Sequence, residues 1–186
     1  MNSDEATIAV IDALESLGVP YMLVGSFSTN FYGVPRATAD ADFVVQVERG
    51  TIPALMERLG SAFALDPQMT FEAITGTTRH RLRLVDNEFQ IELFLLSDDP
   101  HDRERFARRQ AVGFMGWYIV LPTVEDVIVT KLRWLAAAAR AKDRSDLRGV
   151  IAVQGDRIDW AYVETWADRH DTRALLDEIR TSISRS

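Results

Sequence analysis

Two aspartates stand two residues apart in the segment Asp40-Ala41-Asp42, and thirteen residues separate them from the pair Gly25-Ser26. At the head of a strand, side chains two residues apart point to the same face, so the two carboxylates would lie side by side. Such charges repel each other, and at least one would take up a proton unless a cation lies between them. Mg²⁺ binds one or two carboxylates together with substrate phosphates, so the pair predicts a divalent metal site.

The Gly25-Ser26 pair has the features of a phosphate site. Glycine lets the backbone approach a phosphate without a Cβ in the way, and Ser26 offers a hydroxyl and an N–H at the start of a helical turn. Arg36 and Thr38, in the loop before the acids, are candidates for further phosphate contacts, since the guanidinium fork suits phosphate oxygens. Each piece has an ordinary alternative: Gly-Ser is common in turns, Asp-x-Asp can be solvated loop, and Arg36 can pair with a surface acid. The combination at this spacing favours a site.

The elements that position these residues follow from the apolar pattern. It predicts helices over 5–17, 27–32, 52–63, 102–110, 124–139, 144–153, 160–168 and 172–183. It predicts strands over 21–24, 42–47 and 117–121, and a hairpin of 79–85 and 89–95 around Asp86-Asn87. We therefore expect an α+β (or α/β) fold, with a mixed sheet flanked by helices. The helical end predicts a core over 1–121 and a C-terminal helical segment over 122–186 packed on it.

Composition excludes several classes of protein. The 186 residues include no cysteine, which rules out disulfides, thiol catalysis and cysteine-based zinc sites. The apolar runs are shorter than the ~20 residues of a membrane span, and residues 1–6 lack the basic charge of a secretory signal. We therefore expect a cytoplasmic protein with no membrane partner.

The distribution of charge bears on partners. The net charge of −7 weakly disfavours nucleic acid, whereas arginine clusters at 79–83 and 103–109 weakly favour RNA or another anion. Tryptophans more often pack in the core than stack on bases, and we expect core packing for Trp117, Trp134, Trp160 and Trp166.

Gly25-Ser26 followed by Arg36-x-Thr38-x-Asp40-x-Asp42 resembles the signature of the nucleotidyltransferase superfamily, which includes DNA polymerase beta. The stretches Leu121 to Lys131 and Lys142 to Leu147 are similar to the bacterial AbiEii-like branch, some of whose members are toxins of toxin–antitoxin pairs. The resemblance implies a nucleoside triphosphate as substrate, Mg²⁺ or Mn²⁺ as cofactor, and transfer of a nucleotide to a hydroxyl. The acceptor would be an RNA end such as that of tRNA, a protein or a small molecule. It also implies an antitoxin protein as a candidate partner.

Such sites use a third acid on a neighbouring strand, and Glu92 is the candidate for this role in catalysis and metal binding, beside Asp40 and Asp42. Glu92 is a charged residue within the run 89–95, whose apolar residues alternate at 89, 91, 93 and 95, and it shares the opposite face with Gln90; it can also face solvent on a half-exposed strand. Family members more often carry aspartate here. This difference leaves open an alternative function, a nucleotide-binding or regulatory module without turnover.

Lys131 falls on the apolar stripe of the helix over 124–139, where a charge is costly unless it is paired or reaches solvent. In the AbiEii-like branch a lysine at this position belongs to the nucleotide site. Asp143 and Asp146 have the spacing of an N-cap and its matching acid, if a helix begins near Arg144. The resemblance instead places Asp143 in the nucleotide site and makes Asp146 a catalytic residue that orients or deprotonates the acceptor.

Overall fold

A computed structural model describes residues 1–114 and 116–183 of the chain. The chain divides into two compact units. Unit 1 comprises Met1–Phe27 and Ala37–Leu121, and unit 2 comprises Ser28–Arg36 and the chain from Pro122 onward. Within the described ranges, no helix is long and apolar enough to cross a bilayer.

Helices and strands are mixed up to residue 121, and helices follow. The strands are Tyr21–Val24 (β1), Asp40–Val45 (β2), Phe63–Leu65 (β3), Thr70–Glu72 (β4), Thr77–Leu84 (β5), Gln90–Leu95 (β6), Gln110–Phe114 (β7) and Trp117–Leu121 (β8). The helices are Ser3–Ser16 (α1), Gly25–Tyr32 (α2), Thr51–Leu59 (α3), Pro100–Ala107 (α4), Val124–Ala138 (α5), Ala141–Gln154 (α6), Trp160–Arg169 (α7) and Arg173–Ile183 (α8).

The main sheet of unit 1 has the strand order β1-β2-β6-β5-β3, and β4 pairs with β5. β2 and β6 run parallel, whereas β1–β2, β5–β6, β3–β5 and β4–β5 are antiparallel. β7 and β8 form a second, two-stranded sheet. The mixed sheet with flanking helices confirms the predicted α+β fold class.

The two faces of β2 differ: one packs into the core, and the other carries the two aspartates beside an apolar cluster. Ala41, Phe43 and Val45 alternate along it and are fully buried, as expected for a strand with one face against the core. On the other face Val44 joins Met22, Val24 and Phe106 in an apolar cluster. Asp40 and Asp42 continue that second face beyond the cluster, so the acids lie where apolar packing stops.

Unit 2 is built on the apolar stripe of α5. Val127, Ile128, Leu132 and Leu135 are buried at steps of one, three and four residues, the pattern of a helix facing a core. The Thr123 side chain caps the helix by accepting a hydrogen bond from the Asp126 N–H.

Several predicted boundaries are wrong. β2 begins at Asp40 rather than residue 42. The helix predicted over 52–63 ends at Leu59, because Gly60 adopts φ +68° and turns the chain toward β3. β3, β4 and β7 carry no alternation long enough to predict them. Trp117 is not a core residue: it lies on β8 and is 50% exposed.

Candidate active site

Asp40 and Asp42 lie on the same face of β2, as the sequence predicts. The Thr38 hydroxyl donates a hydrogen bond of 2.9 Å to Asp40 Oδ1 and approaches the Asp40 carbonyl oxygen at 3.0 Å. Thr38 thus fixes the orientation of the Asp40 carboxylate from two residues away. Both aspartates remain half-buried, so a ligand can reach them.

Gly25 lies against the Asp42 carboxylate. β1 and β2 pair Val24 with Asp42, which brings the next residue, Gly25, to the head of the acid strand. Gly25 adopts φ +61°, and an ideal Cβ built on it would lie 1.9 Å from Asp42 Oδ2. The backbone of α2 begins here, with Ser26 buried in its first turn. The first N–H groups of a helix point out of its N-terminal end, where they can bind a phosphate oxygen.

Glu92 occupies the position directly beside Asp42 on the neighbouring strand β6. Its carboxylate, however, forms ion pairs with two arginines of β5. Arg79 Nη1 lies 2.7 Å from Glu92 Oε2, and Arg81 Nε lies 3.5 Å from Glu92 Oε1. The solvent-facing alternative for Glu92 is therefore wrong, because its side chain is only 15% exposed.

These contacts decide how well the acids fit a divalent cation. Asp40 and Asp42 fit Mg²⁺ or Mn²⁺, since one or two carboxylates are the protein ligands that these ions use together with substrate phosphates. Glu92 does not fit as a third ligand while both its oxygens face arginines. Among residues 1–114 and 116–183, no three acidic or histidine side chains converge on one point as a cation site.

Lys131, Asp143 and Asp146 form an ion cluster in unit 2. Lys131 Nζ donates to Asp143 Oδ1 at 2.8 Å and to Asp146 Oδ2 at 3.1 Å. The three side chains are 12%, 6% and 5% exposed, so Lys131 does not reach out into solvent. The predicted capping pair is wrong, because α6 begins at Ala141 with Arg140 as N-cap. Asp143 therefore lies in the first turn of α6, and both acids turn to Lys131.

Arg36 completes this cluster. Its Nε and Nη2 donate to the two oxygens of Asp146 at 2.8 and 2.9 Å, the two-point contact that a guanidinium makes with a carboxylate. Asn30 holds the Arg36 backbone through a hydrogen bond in each direction. Arg36 thus pairs with an acid, but one that is nearly buried rather than on the surface.

The environment of Asp146 lowers its pKa. Burial alone would raise the pKa of Asp146, but the hydrogen bond from Arg36 and the charge of Lys131 outweigh burial and hold this pKa below its ordinary value. A carboxylate held ionised by two cations is a weak proton acceptor at neutral pH. Asp146 is therefore better suited to holding the side chains of Arg36 and Lys131 in position than to removing a proton from the acceptor.

The predicted site residues fall into two groups, one in each unit. The pairing of Arg79 and Arg81 with Glu92 was not predicted, although a hairpin centred on Asp86-Asn87 pairs position 81 with position 92. The second arginine cluster does not form one basic surface: Arg105 is buried against Asp102, and Arg103 pairs with Asp98. The observed pairing weakens the case for RNA that rested on those clusters.

No protein-family model and no curated protein matches the chain. Solved structures that are similar to it include the antibiotic-resistance factor ANT(2'')-Ia, with a TM-score of 0.60 and 14% identity over 100% of this chain and 97% of the other. A crystal structure of that factor holds adenylyl-2''-tobramycin.

Two further structures have the same fold. One is an antigenic nucleotidyltransferase-like protein from Paracoccidioides brasiliensis, with a TM-score of 0.54 and 19% identity over 93% of this chain and 90% of the other. The other is the lincosamide antibiotic adenylyltransferase LnuA bound to lincomycin, with a TM-score of 0.53 and 12% identity over 80% and 96%. The chain thus has the fold of nucleotidyltransferases.

Proposed function

We propose that this protein is a metal-dependent nucleotidyltransferase that moves a nucleoside monophosphate from a nucleoside triphosphate to a hydroxyl acceptor. One observation carries the proposal: the Asp42 carboxylate, beside Asp40 on one strand face, touches the backbone at Gly25 where α2 begins. A carboxylate pair for a divalent cation and a helix start for phosphate therefore lie within one ligand's reach in unit 1.

The residues of unit 1 would divide the work as follows. The N–H groups at the start of α2, with Gly25 and Ser26, bind phosphate oxygens of the triphosphate. Asp40 and Asp42 would hold Mg²⁺ or Mn²⁺, and the hydrogen bond from Thr38 would fix the orientation of the Asp40 carboxylate. The bound cation supplies charge neutralisation at the phosphates. The acceptor oxygen forms a bond to the α-phosphorus as its proton passes to solvent water, and pyrophosphate departs with the electrons of the broken phosphorus–oxygen bond.

The residues of unit 2 have a positioning role in this proposal. Arg36 and Lys131 are the predicted nucleotide contacts, and Asp143 and Asp146 hold them through short ion pairs. Because the pKa of Asp146 is lowered, we assign it to orienting these cations and not to taking the acceptor's proton.

The compounds bound in two similar structures and the charge of this chain bear on the class of acceptor. ANT(2'')-Ia and LnuA carry antibiotics in their structures, adenylyl-2''-tobramycin and lincomycin. This favours a small hydroxyl compound as acceptor, whereas the net charge of −7 and the paired arginines disfavour RNA. A protein side chain is a further candidate.

The test is transfer of label from each α-³²P nucleoside triphosphate with Mg²⁺ or Mn²⁺. The acceptors would be total tRNA, the protein itself, and a panel of aminoglycosides and lincosamides, with Asp42→Asn as the matched inactive variant. Label that moves to one acceptor class and is lost in Asp42→Asn supports the proposal. Transfer that persists in Asp42→Asn, or no transfer to any acceptor, contradicts it.

The alternative is a nucleotide-binding module without turnover, and the pairing of Glu92 with Arg79 and Arg81 favours it. Such a module would bind a triphosphate in a metal-dependent manner, measured by calorimetry, and release no pyrophosphate. Equal binding with and without Mg²⁺ would argue against this alternative as well.

We also propose, from the AbiEii-like resemblance, a toxin role with an antitoxin protein as partner. Growth of a bacterial host should then stop on expression of the wild type and continue on expression of Asp42→Asn at the same protein level. Harmless expression of both would rule out this role.

A further inference from the structure

Glu92 belongs to a transverse row of charges across the main sheet. The register pairs Asp42 of β2 with Glu92 of β6, and Glu92 with Arg81 of β5. Side chains directly opposite each other on adjacent strands lie on one face, with Cβ atoms about 4.5–5.5 Å apart. Glu92 thus lies between Asp42 and Arg81, and its carboxylate can turn toward a cation at the aspartates or toward the arginines.

In the structure the Glu92 carboxylate forms ion pairs with the two arginines of β5. Its two oxygens each face a different guanidinium, Arg79 at 2.7 Å and Arg81 at 3.5 Å. Glu92 is 15% exposed, and the arginines are 25% and 32% exposed, so water screens these contacts only partly. A carboxylate removed from water needs such compensation, and moving it to another ligand would leave two cations without it.

The arginines are themselves held in place. Arg79 Nε donates to the Thr70 hydroxyl at 3.0 Å, and its guanidinium lies 5.4 Å from the centroid of the Phe94 ring. Arg81 Nη1 lies 3.8 Å from Asp66 Oδ2 on the other side. These contacts come from β4, β6 and the segment after β3, so the arginine pair is a built feature of the sheet.

We propose that Arg79 and Arg81 keep Glu92 out of the ligand set of the cation, so that Asp40 and Asp42 alone form the cation site of unit 1. Glu92 is then a positioning residue for the arginine pair. The inference rests on the proposed function for the identity of the cation site. The resemblance implies that Glu92 is a metal ligand, whereas this inference assigns it to the arginine pair.

The experiment is a Mn²⁺ titration of the full chain, in which electron paramagnetic resonance and calorimetry measure the Mn²⁺ affinity. Glu92→Gln should leave the Mn²⁺ affinity within about twofold of wild type, whereas Asp42→Asn should weaken it about tenfold or more, the order of losing a metal ligand. The double variant Arg79→Gln with Arg81→Gln should bind Mn²⁺ more tightly than wild type, because it frees Glu92 to join the aspartates. Arg83→Gln is the matched control, since Arg83 lies on the same strand face opposite Gln90.

The inference is overturned if Glu92→Gln weakens Mn²⁺ binding as much as Asp42→Asn does. It is also overturned if the double arginine variant binds no more tightly than Arg83→Gln. If the double variant does not fold, as judged by urea unfolding, the comparison of Glu92→Gln with Asp42→Asn decides the matter. If the wild type binds no Mn²⁺, a gain of binding in the double variant supports the inference, and no gain overturns it.

Nucleotide transfer measured on the same samples separates this inference from the proposed function. Absence of transfer to every acceptor, together with the expected Mn²⁺ pattern, contradicts the proposed function and leaves the arginine pair in its role. Transfer by the wild type, together with a Mn²⁺ loss in Glu92→Gln equal to that in Asp42→Asn, does the reverse.

Discussion

The carboxylate of Asp42 lies where a side chain on Gly25 would begin, with Oδ2 only 1.9 Å from the position of an ideal Cβ. Asp42 lies on β2 and Gly25 directly follows β1 as the first residue of α2, so their contact follows from the antiparallel pairing of Val24 with Asp42. Because Gly25 also has φ +61°, glycine is needed at this position for both its backbone conformation and its small size. The phosphate and metal parts of the candidate site are therefore coupled by sterics.

Replacement of Gly25 by alanine tests this coupling. We expect Gly25→Ala to lose about 1–2 kcal/mol of unfolding free energy from the left-handed backbone alone, and more from the collision with Asp42. Gly76→Ala is the matched control, since Gly76 has φ +70° and no atom within 4 Å of the added Cβ. Urea unfolding and Mn²⁺ titration measure the two effects. Equal losses in both variants, with unchanged Mn²⁺ affinity, would contradict the coupling.

Thr38 should contribute to cation binding through Asp40. Thr38→Val removes the 2.9 Å hydrogen bond to Asp40 Oδ1 while keeping the shape of the side chain. We expect a loss of about 1 kcal/mol, or about fivefold in Mn²⁺ affinity, because Asp40 becomes free to rotate. Thr38→Ser retains the hydroxyl and should bind as the wild type does. A normal affinity in Thr38→Val would show that Asp40 needs no orientation by Thr38.

Lys131 should matter for stability far more than the second lysine of the chain. Lys131→Met leaves two nearly buried carboxylates without their shared cation, and we expect a loss of about 3–5 kcal/mol in urea unfolding. Adding Asp143→Asn should recover part of this loss, since Arg36 still pairs with Asp146. Lys142→Met, at an exposed position of α6, should change stability by less than about 0.5 kcal/mol. Similar losses in Lys131→Met and Lys142→Met would refute the cluster's role.

The lowered pKa of Asp146 predicts a pH dependence of stability with a definite sign. A carboxyl group whose pKa falls on folding stabilises the protein above its unfolded pKa, and this contribution is lost as the pH falls through the folded value. The difference in unfolding free energy between wild type and Asp146→Asn should therefore be constant near pH 7 and shrink below about pH 4. A difference that stays constant down to pH 2, or that grows on acidification, would contradict the assignment.

Sequence reasoning predicted the fold class and the arrangement on β2 because both follow from local pattern. The alternation of Ala41, Phe43 and Val45 fixes which face is buried, and this places Asp40 and Asp42 together on the other face. Thr123 likewise marks the start of α5 through its capping hydroxyl. These features depend on neighbours within a few residues.

The partners of Glu92 and Lys131 could not be derived in the same way. The strand pattern shows that Glu92 interrupts an apolar run, but the choice between a metal and an arginine depends on how far each side chain reaches across strands. Lys131 pairs with two acids on α6. The predicted start of this helix lies three residues after the observed start at Ala141. With the helix beginning at Ala141, Arg140 is the N-cap and Asp143 lies within the first turn, which is why the capping interpretation failed.

The burial of Lys131 has a practical consequence for the handling of this protein. The chain contains two lysines, and the amine of Lys131 is enclosed by the carboxylates of Asp143 and Asp146. Lys142 is exposed, so a reagent can reach its amine. Amine-directed reagents should therefore attach a fluorophore or a surface linker to one lysine of the folded chain, and reaction at Lys131 would report that the ion cluster has opened.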